Sequence, residues 1–211
     1  MEVELRKIAP IPRWEGREVP PFTPEEYGQR FEALRSRAAR EGVERIVVYG
    51  DKLHFGDIDF FTGLQIKWEE ALLVVGPERG SSTLLLGNEM YGGYPESSPA
   101  RAEFRTVHCP SLSLPGQVRH FDAPGVCTLA QGLRTAGLTP GVRVGLIGWK
   151  SGAVGEFSEG SSAHFVPEVF VRAIAEATGS ERIPNLTGIM IDPENGLRAR
   201  NDAHRIAWME G

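Results

Sequence analysis

ALLVVGPERGSSTLLLG, residues 71–87, decides the fold. Two short apolar runs, ALLVV and TLLLG, are separated by a segment punctuated with Gly76, Pro77 and Gly80, which reads as a β-hairpin. Neither run alternates with polar residues, so both strands belong inside a sheet covered on both faces. RIVVYG (45–50) and RVGLIG (143–148) have the same character, and FRTVH (104–108) adds a fourth strand by alternation.

Helical signals lie between these strands. Thr23 as N-cap, Pro24 at the first helical position and Glu26 three residues after the cap form a capping box. The apolar stripe Tyr27, Phe31, Leu34 and Ala38 follows, and Gly42 supplies the stop. A second helix is expected from about 124 to 136, with Val126, Leu129 and Leu133 inward and Gly137 at its end. Pro167 and Glu168 open a third, with Phe170, Ile174 and Ala177 on one face and Gly179 closing it.

IPNLTGIMID (183–192) reads as extended, and Asn201 caps a final helical pattern through Ala203, Ile206, Met209 and Glu210. At the other end, Pro10, Pro12, Pro20 and Pro21 make residues 1–22 an extended arm anchored by Trp14. Helices alternating with strands around one direct hairpin predict an α/β domain, a mixed sheet flanked by helices.

Composition narrows the function. The 211 residues carry Lys+Arg 23 against Asp+Glu 28, a net charge of -5, so no positive field gathers nucleic acid. With 41% hydrophobic and 24% charged residues the chain is globular in type. Cys109 and Cys127 form neither a CxxC zinc pair nor a disulfide framework, which points to a reducing cytoplasm. No apolar run approaches the roughly 20 residues of a membrane helix.

Three stretches invite chemistry. In HFGDIDFFTG (54–63), Asp57 and Asp59 would share one face if the segment were a strand, as the metal-binding D-x-D of a nucleotidyltransferase does. A polar turn whose carboxylates cap backbone donors is the competing reading. GLIGWKSG (145–152) places Lys and Ser after a strand, but Trp149 stands where a phosphate loop needs its second glycine. NEMYGGYPESSP (88–99) is either a ligand-contacting loop or a flexible connection. His54, His108, His120, His164 and His204 form no HxxxH or HExxH spacing, and no serine sits in GxSxG.

The helix closed by EG, the strand IVVYGD, the segment HFGDIDFFTGL, the hairpin, the strand GVRVGLIGW and the closing GLRARNDAHRIA resemble, in that order, the N-terminal domain of the creatinase, prolidase and aminopeptidase P family. FFTGL (60–64) is similar to the family's Y-x-T-G-F segment, and LRARNDAHRIA (197–207) to its L-R-x-I-K-S-x-x-E-I junction. Arg200 and Asn201 depart from the family's usual residues, and His204 lies near its Glu.

The resemblance implies a ribonuclease-H-like layout in residues 23–196, an arm in 1–22, and the start of a catalytic pita-bread domain in 197–211. It places Asp57 and Asp59 in a turn and short helix after the first strand. The family's metal ligands (two Asp, one His and two Glu) all follow the junction, so no catalytic, metal or cofactor residue is expected here. Divalent metals would belong to the missing domain. The implied role is a noncatalytic domain that forms a homodimer and lends a substrate-entrance edge, His54, Phe61, Lys67 and Trp68, to a partner subunit. The alternative is a free-standing dimerisation or small-ligand module using a concavity near Trp68, Tyr91, Tyr94 and Trp149.

Overall fold

The computed structural model describes residues 21–151, 163–199, 201 and 203–210. Residues 1–20 of the arm, with Trp14, and Gly152 and Arg200 lie outside the described residues, as do the side chains of Ala203, Met209 and Glu210. The chain divides into a unit of Phe22–Arg200 and a smaller one made of Met1–Pro21 and Asn201–Gly211. In the smaller unit a helix, Ala203–Glu210, is described.

In the larger unit the first helix, α1 (Pro24–Arg40), starts as its sequence requires. The Thr23 hydroxyl accepts from the Glu26 N–H and the Glu26 carboxylate accepts from the Thr23 N–H. Tyr27, Phe31, Leu34 and Ala38 are its buried face. Five strands follow, β1 (Arg45–Gly50), β2 (Ala71–Val75), β3 (Ser82–Leu86), β4 (Phe104–His108) and β5 (Val144–Ile147), in the order β4-β3-β2-β1-β5.

The hairpin is present, with β2 antiparallel to β3 and Leu72 opposite Leu85. β1 is antiparallel to β2, β5 parallel to β1, and β4 parallel to β3. A single parallel bridge, Leu146 to Asn185, continues the sheet beyond β5. The sheet is therefore mixed, as the sequence predicts.

Both faces are covered. Ala71, Leu73, Val75, Leu84 and Leu86 join the α1 stripe and Ile58, Phe60 and Phe61 of α2 (Gly56–Thr62) in one apolar cluster. Leu72, Val74 and Leu85 face the other way, towards Leu133 of α4 (Leu129–Thr135) and Phe170 and Ile174 of α5 (Glu168–Thr178). Between β3 and β4 lies α3 (Asn88–Gly93), and α6 (Gly188–Ile191) follows α5.

Three sequence expectations are corrected. The 124–136 helix begins only at Leu129, because Thr128 forms a capping box with Gln131, and Gly125 holds a left-handed turn at φ 80°. On α5, Ala177 packs against the same cluster as Phe170 and Ile174, as expected, and Thr178 is buried as well. NEMYGGYPESSP contains a short helix, α3, instead of a loop throughout. IPNLTGIMID is broken by α6 after the Asn185 bridge, with the Thr187 hydroxyl accepting from the Gly148 N–H at 2.9 Å.

Candidate functional site

Because β2 runs against both β1 and β3, the strands β1, β3, β4 and β5 all point the same way. Their carboxyl ends, and the approach to β2, share one rim of the sheet, the customary place for ligand contacts in open α/β sheets. Asp51–His54, Asn88–Tyr91, His108 and Trp149 follow the four strands, and Trp68–Glu70 precedes β2.

The first group is built around Asp51. Its carboxylate accepts from the Tyr49 hydroxyl at 2.9 Å and from the N–H groups of Leu53 and His54 at 2.7 and 2.9 Å. The same carboxylate lies 3.0 Å from His54 Nδ1. An ionised carboxylate only accepts, so Nδ1 carries a proton and donates in this contact. Burial opposes charge on Asp51, yet the hydrogen bonds from His54, Leu53 and Tyr49 outweigh it and hold the carboxyl below its ordinary range. Burial and Asp51 push the Tyr49 hydroxyl well above its range, so it stays a donor.

The His54 ring lies flat on Trp149, with centroids 4.2 Å apart. Trp149 in turn meets Phe165 edge-on at 5.4 Å, and Lys150 Nζ sits 4.2 Å from the Phe165 ring and 4.7 Å from that of Trp149. Across the rim Lys52 Nζ stands 4.6 Å from the centre of the Trp68 ring. Trp68 is 54% and Leu53 80% exposed, so this end of the sheet presents apolar and cationic groups together. Glu70, nearby, is kept above its ordinary range by burial and then by the charges of Asp51 and Glu69.

A second group lies at the ends of β3 and β4. Tyr91 stacks on His108 with centroids 4.7 Å apart and an 8° interplanar angle. His108 Nε2 is 2.9 Å from Asn88 Oδ1, and the Asn88 amide donates to Gln117 Oε1 and the Val118 carbonyl. Behind them the buried Glu69 carboxylate accepts from the N–H groups of Glu89 and Met90 at the start of α3. A groove of about 560 Å³ runs past Asn88, His108, Gln117, Val118 and His120.

The sequence-predicted residues are distributed unevenly. His54, Lys67 and Trp68 lie on the rim, whereas Phe61 is fully buried between Phe31 and Phe60 and has no surface to lend. The four aromatics of the supposed concavity go to different places. Trp68 carries Lys52, Trp149 covers His54, Tyr91 covers His108, and the buried Tyr94 donates its hydroxyl to the Thr62 carbonyl.

Asp57 and Asp59 sit on a helix, where two residues turn through roughly 200° and separate the carboxylates. Asp57 is instead bonded to Arg198 Nη1 at 2.8 Å. Among the described residues no group of three or more His, Cys, Asp or Glu is placed to hold a metal ion, and no helix is long and apolar enough to cross a membrane. Asp51 was the residue that motif reading passed over; its signal is the Asp-x-x-His spacing immediately after a buried strand.

His108 and His164 supply a pH dependence. Burial lowers the proton affinity of both, with partial compensation from Glu69 at His108 and from the Ile183 carbonyl, 3.0 Å away, at His164. Since the folded pKa values lie below the unfolded one, stability is complete above the unfolded value and is lost as pH falls through the folded ones. Thermal melts between about pH 7.5 and pH 5 should show a falling Tm, with a smaller fall in His164→Gln. Equal slopes in the two proteins would remove His164 from this account.

No family model and no curated protein matches the sequence. Solved structures do. The dipeptidase PepE from Mycobacterium ulcerans is similar over 88% of this chain, with a TM-score of 0.52 and 14% identity. This chain spans only 40% of the length of that dipeptidase. The N-terminal domain of a Corynebacterium diphtheriae protein, described as creatinase/prolidase-like, matches with a TM-score of 0.45 and 14% identity over 75% of this chain and 94% of its own. Prolidase from Pyrococcus furiosus matches with a TM-score of 0.46 and 11% identity over 82% of this chain and 36% of its own. In fold, the Phe22–Arg200 unit, an open mixed sheet flanked by helices, is similar to part of that dipeptidase.

Proposed function

We propose that this chain is the noncatalytic N-terminal domain of a cytoplasmic Xaa-Pro peptidase-like or creatinase-like hydrolase, divided into an arm (1–22), the domain proper (23–196) and a junction (197–211). Its role is to pair with a second copy and to lend the rim at His54, Lys67 and Trp68, with Trp149 behind it, to the partner's substrate entrance. The divalent metal chemistry belongs to a domain beyond the junction.

The observation that carries this reading is the immobilised His54. Its ring is fixed by the Asp51 carboxylate on one side and by Trp149 on its face, beside the exposed Trp68 and Leu53. A partner surface gains most from groups already held in place, because little conformational entropy is lost on contact.

The purified chain is expected to sediment as a dimer, to shift towards monomer when Trp68 and Trp149 are both replaced by Ala, and to leave Xaa-Pro dipeptides uncleaved in manganese or cobalt. Metal-dependent turnover would overturn the noncatalytic assignment. A dimer indifferent to the double replacement would move the interface away from this rim.

A further inference from the structure

Cys109 and Cys127 are separated in sequence yet adjacent in space. β4 ends at His108, and the chain returns so that Val126 pairs with His108 in a parallel bridge. The Cys127 N–H donates to the His108 carbonyl at 3.0 Å. One residue further along each chain stand Cys109 and Cys127, so the pleat points both side chains to the same face, opposite to that of His108 and Val126. Both pack into the apolar cluster beneath α4, where Cys127 Sγ faces the bare Cα of Gly132.

We propose that Cys109 and Cys127 form a redox-closable pair, which a hydroperoxide converts to an internal disulfide. Neighbouring parallel strands place paired Cα atoms roughly 4.8 Å apart, inside the usual disulfide range of about 4.4–6.8 Å. The Cys127 thiol donates to the His108 carbonyl at 3.3 Å, at the residue next to Cys109. Both are free thiols here, Cys109 buried and Cys127 half-buried.

That difference in access fixes the order of events. With hydrogen peroxide, the Cys127 thiol loses its proton and the thiolate attacks one peroxide oxygen; the O–O bond breaks, and the departing hydroxide takes up that proton and leaves as water, giving a sulfenic acid. Cys109 Sγ then attacks Cys127 Sγ; the S–O bond breaks, and its oxygen leaves as a second water with the Cys109 proton. Two thiols lose two electrons in total and one peroxide gains them. Burial pushes the Cys109 thiol up to about 12 and Cys127 in the same direction, so closure is slow at neutral pH and quickens as pH rises.

Closure would tie the end of β4 to the residue before the α4 N-cap. It would also fasten both ends of the segment that carries Gln117, Val118 and His120 past the His108 groove. A loop of this size removes substantial freedom from the unfolded chain, and a rise in Tm of about 5–10 °C follows.

The test is peroxide treatment of the 211-residue chain, followed by mass spectrometry, peptide mapping and melting. The expected result is a loss of two hydrogens per chain, a mapped Cys109–Cys127 link, and a raised Tm that a reductant reverses. Cys127→Ser should show neither the mass loss nor the rise. Oxygen addition at Cys127 without a link, or linkage only between two chains, would overturn the proposal. Wild-type mapping alone decides the matter if the Ser variant fails to fold.

Discussion

Phe61→Ala is expected to destabilise the Phe22–Arg200 unit by about 3–5 kcal/mol, the usual cost of emptying a buried phenylalanine site. Phe61 has no exposed surface, and its ring meets Phe31 at 5.2 Å and Phe60 at 5.0 Å, both edge-on. The cavity could not collapse easily, because α2 is pinned at its end by Gly63, whose left-handed φ of 69° leaves the Tyr27 hydroxyl where a side chain would go. Chemical denaturation measures the loss. Trp68→Ala, in the same sequence neighbourhood but 54% exposed, should change stability by no more than about 0.5 kcal/mol. A comparable loss in both variants would contradict the division between core and rim.

Arg198→Ala should cost about 2–4 kcal/mol, since it strips the cation from a carboxylate that has lost its water. Asp57 is 4% exposed and Arg198 35%, with 2.8 Å between Oδ1 and Nη1. The guanidinium occupies the space above Gly56, within 3.0 Å of where a Cβ would stand. Backbone bonds from Leu197 and Arg198 to the Ile189 and Met190 carbonyls complete the seam. The pair therefore fixes where the chain leaves α6. The combined variant Asp57→Asn, Arg198→Met should lose less than Arg198→Ala alone, because no buried charge is stranded. A larger loss in the double variant would show that Arg198 acts through packing instead.

The sheet was legible because four of its strands are apolar runs ending at a glycine and the fifth, β4, alternates, and α1 because its capping box and stripe agree. The start of α4 was not: Pro124 and Val126 extend its apolar spacing backwards, and only the Thr128–Gln131 box marks the true beginning. α6 has four residues, too few for a periodic signal and too short to form without tertiary support. At the site, Asp51 and His54 are neighbours in sequence, so their pairing can be read from spacing. The ring of Trp149 reaches His54 only through the parallel pairing of β1 with β5, which no local pattern reveals. The D-x-D spacing gives a shared face only for a strand; the short helix that the family resemblance implies here is what α2 forms.

One consequence of the fully buried hairpin concerns how its strands find their alignment. β2 and β3 are buried along their whole length, so a slide of two residues would leave apolar groups on both faces. The connection supplies the missing restraint: the Gly76 N–H bonds the Ser82 hydroxyl, the Glu78 N–H bonds the Ser81 hydroxyl, and Gly80 takes a positive φ. The bend acts as a ruler. Misalignment during folding is prevented there, at the solvent-facing tip, and not by the greasy interior it serves.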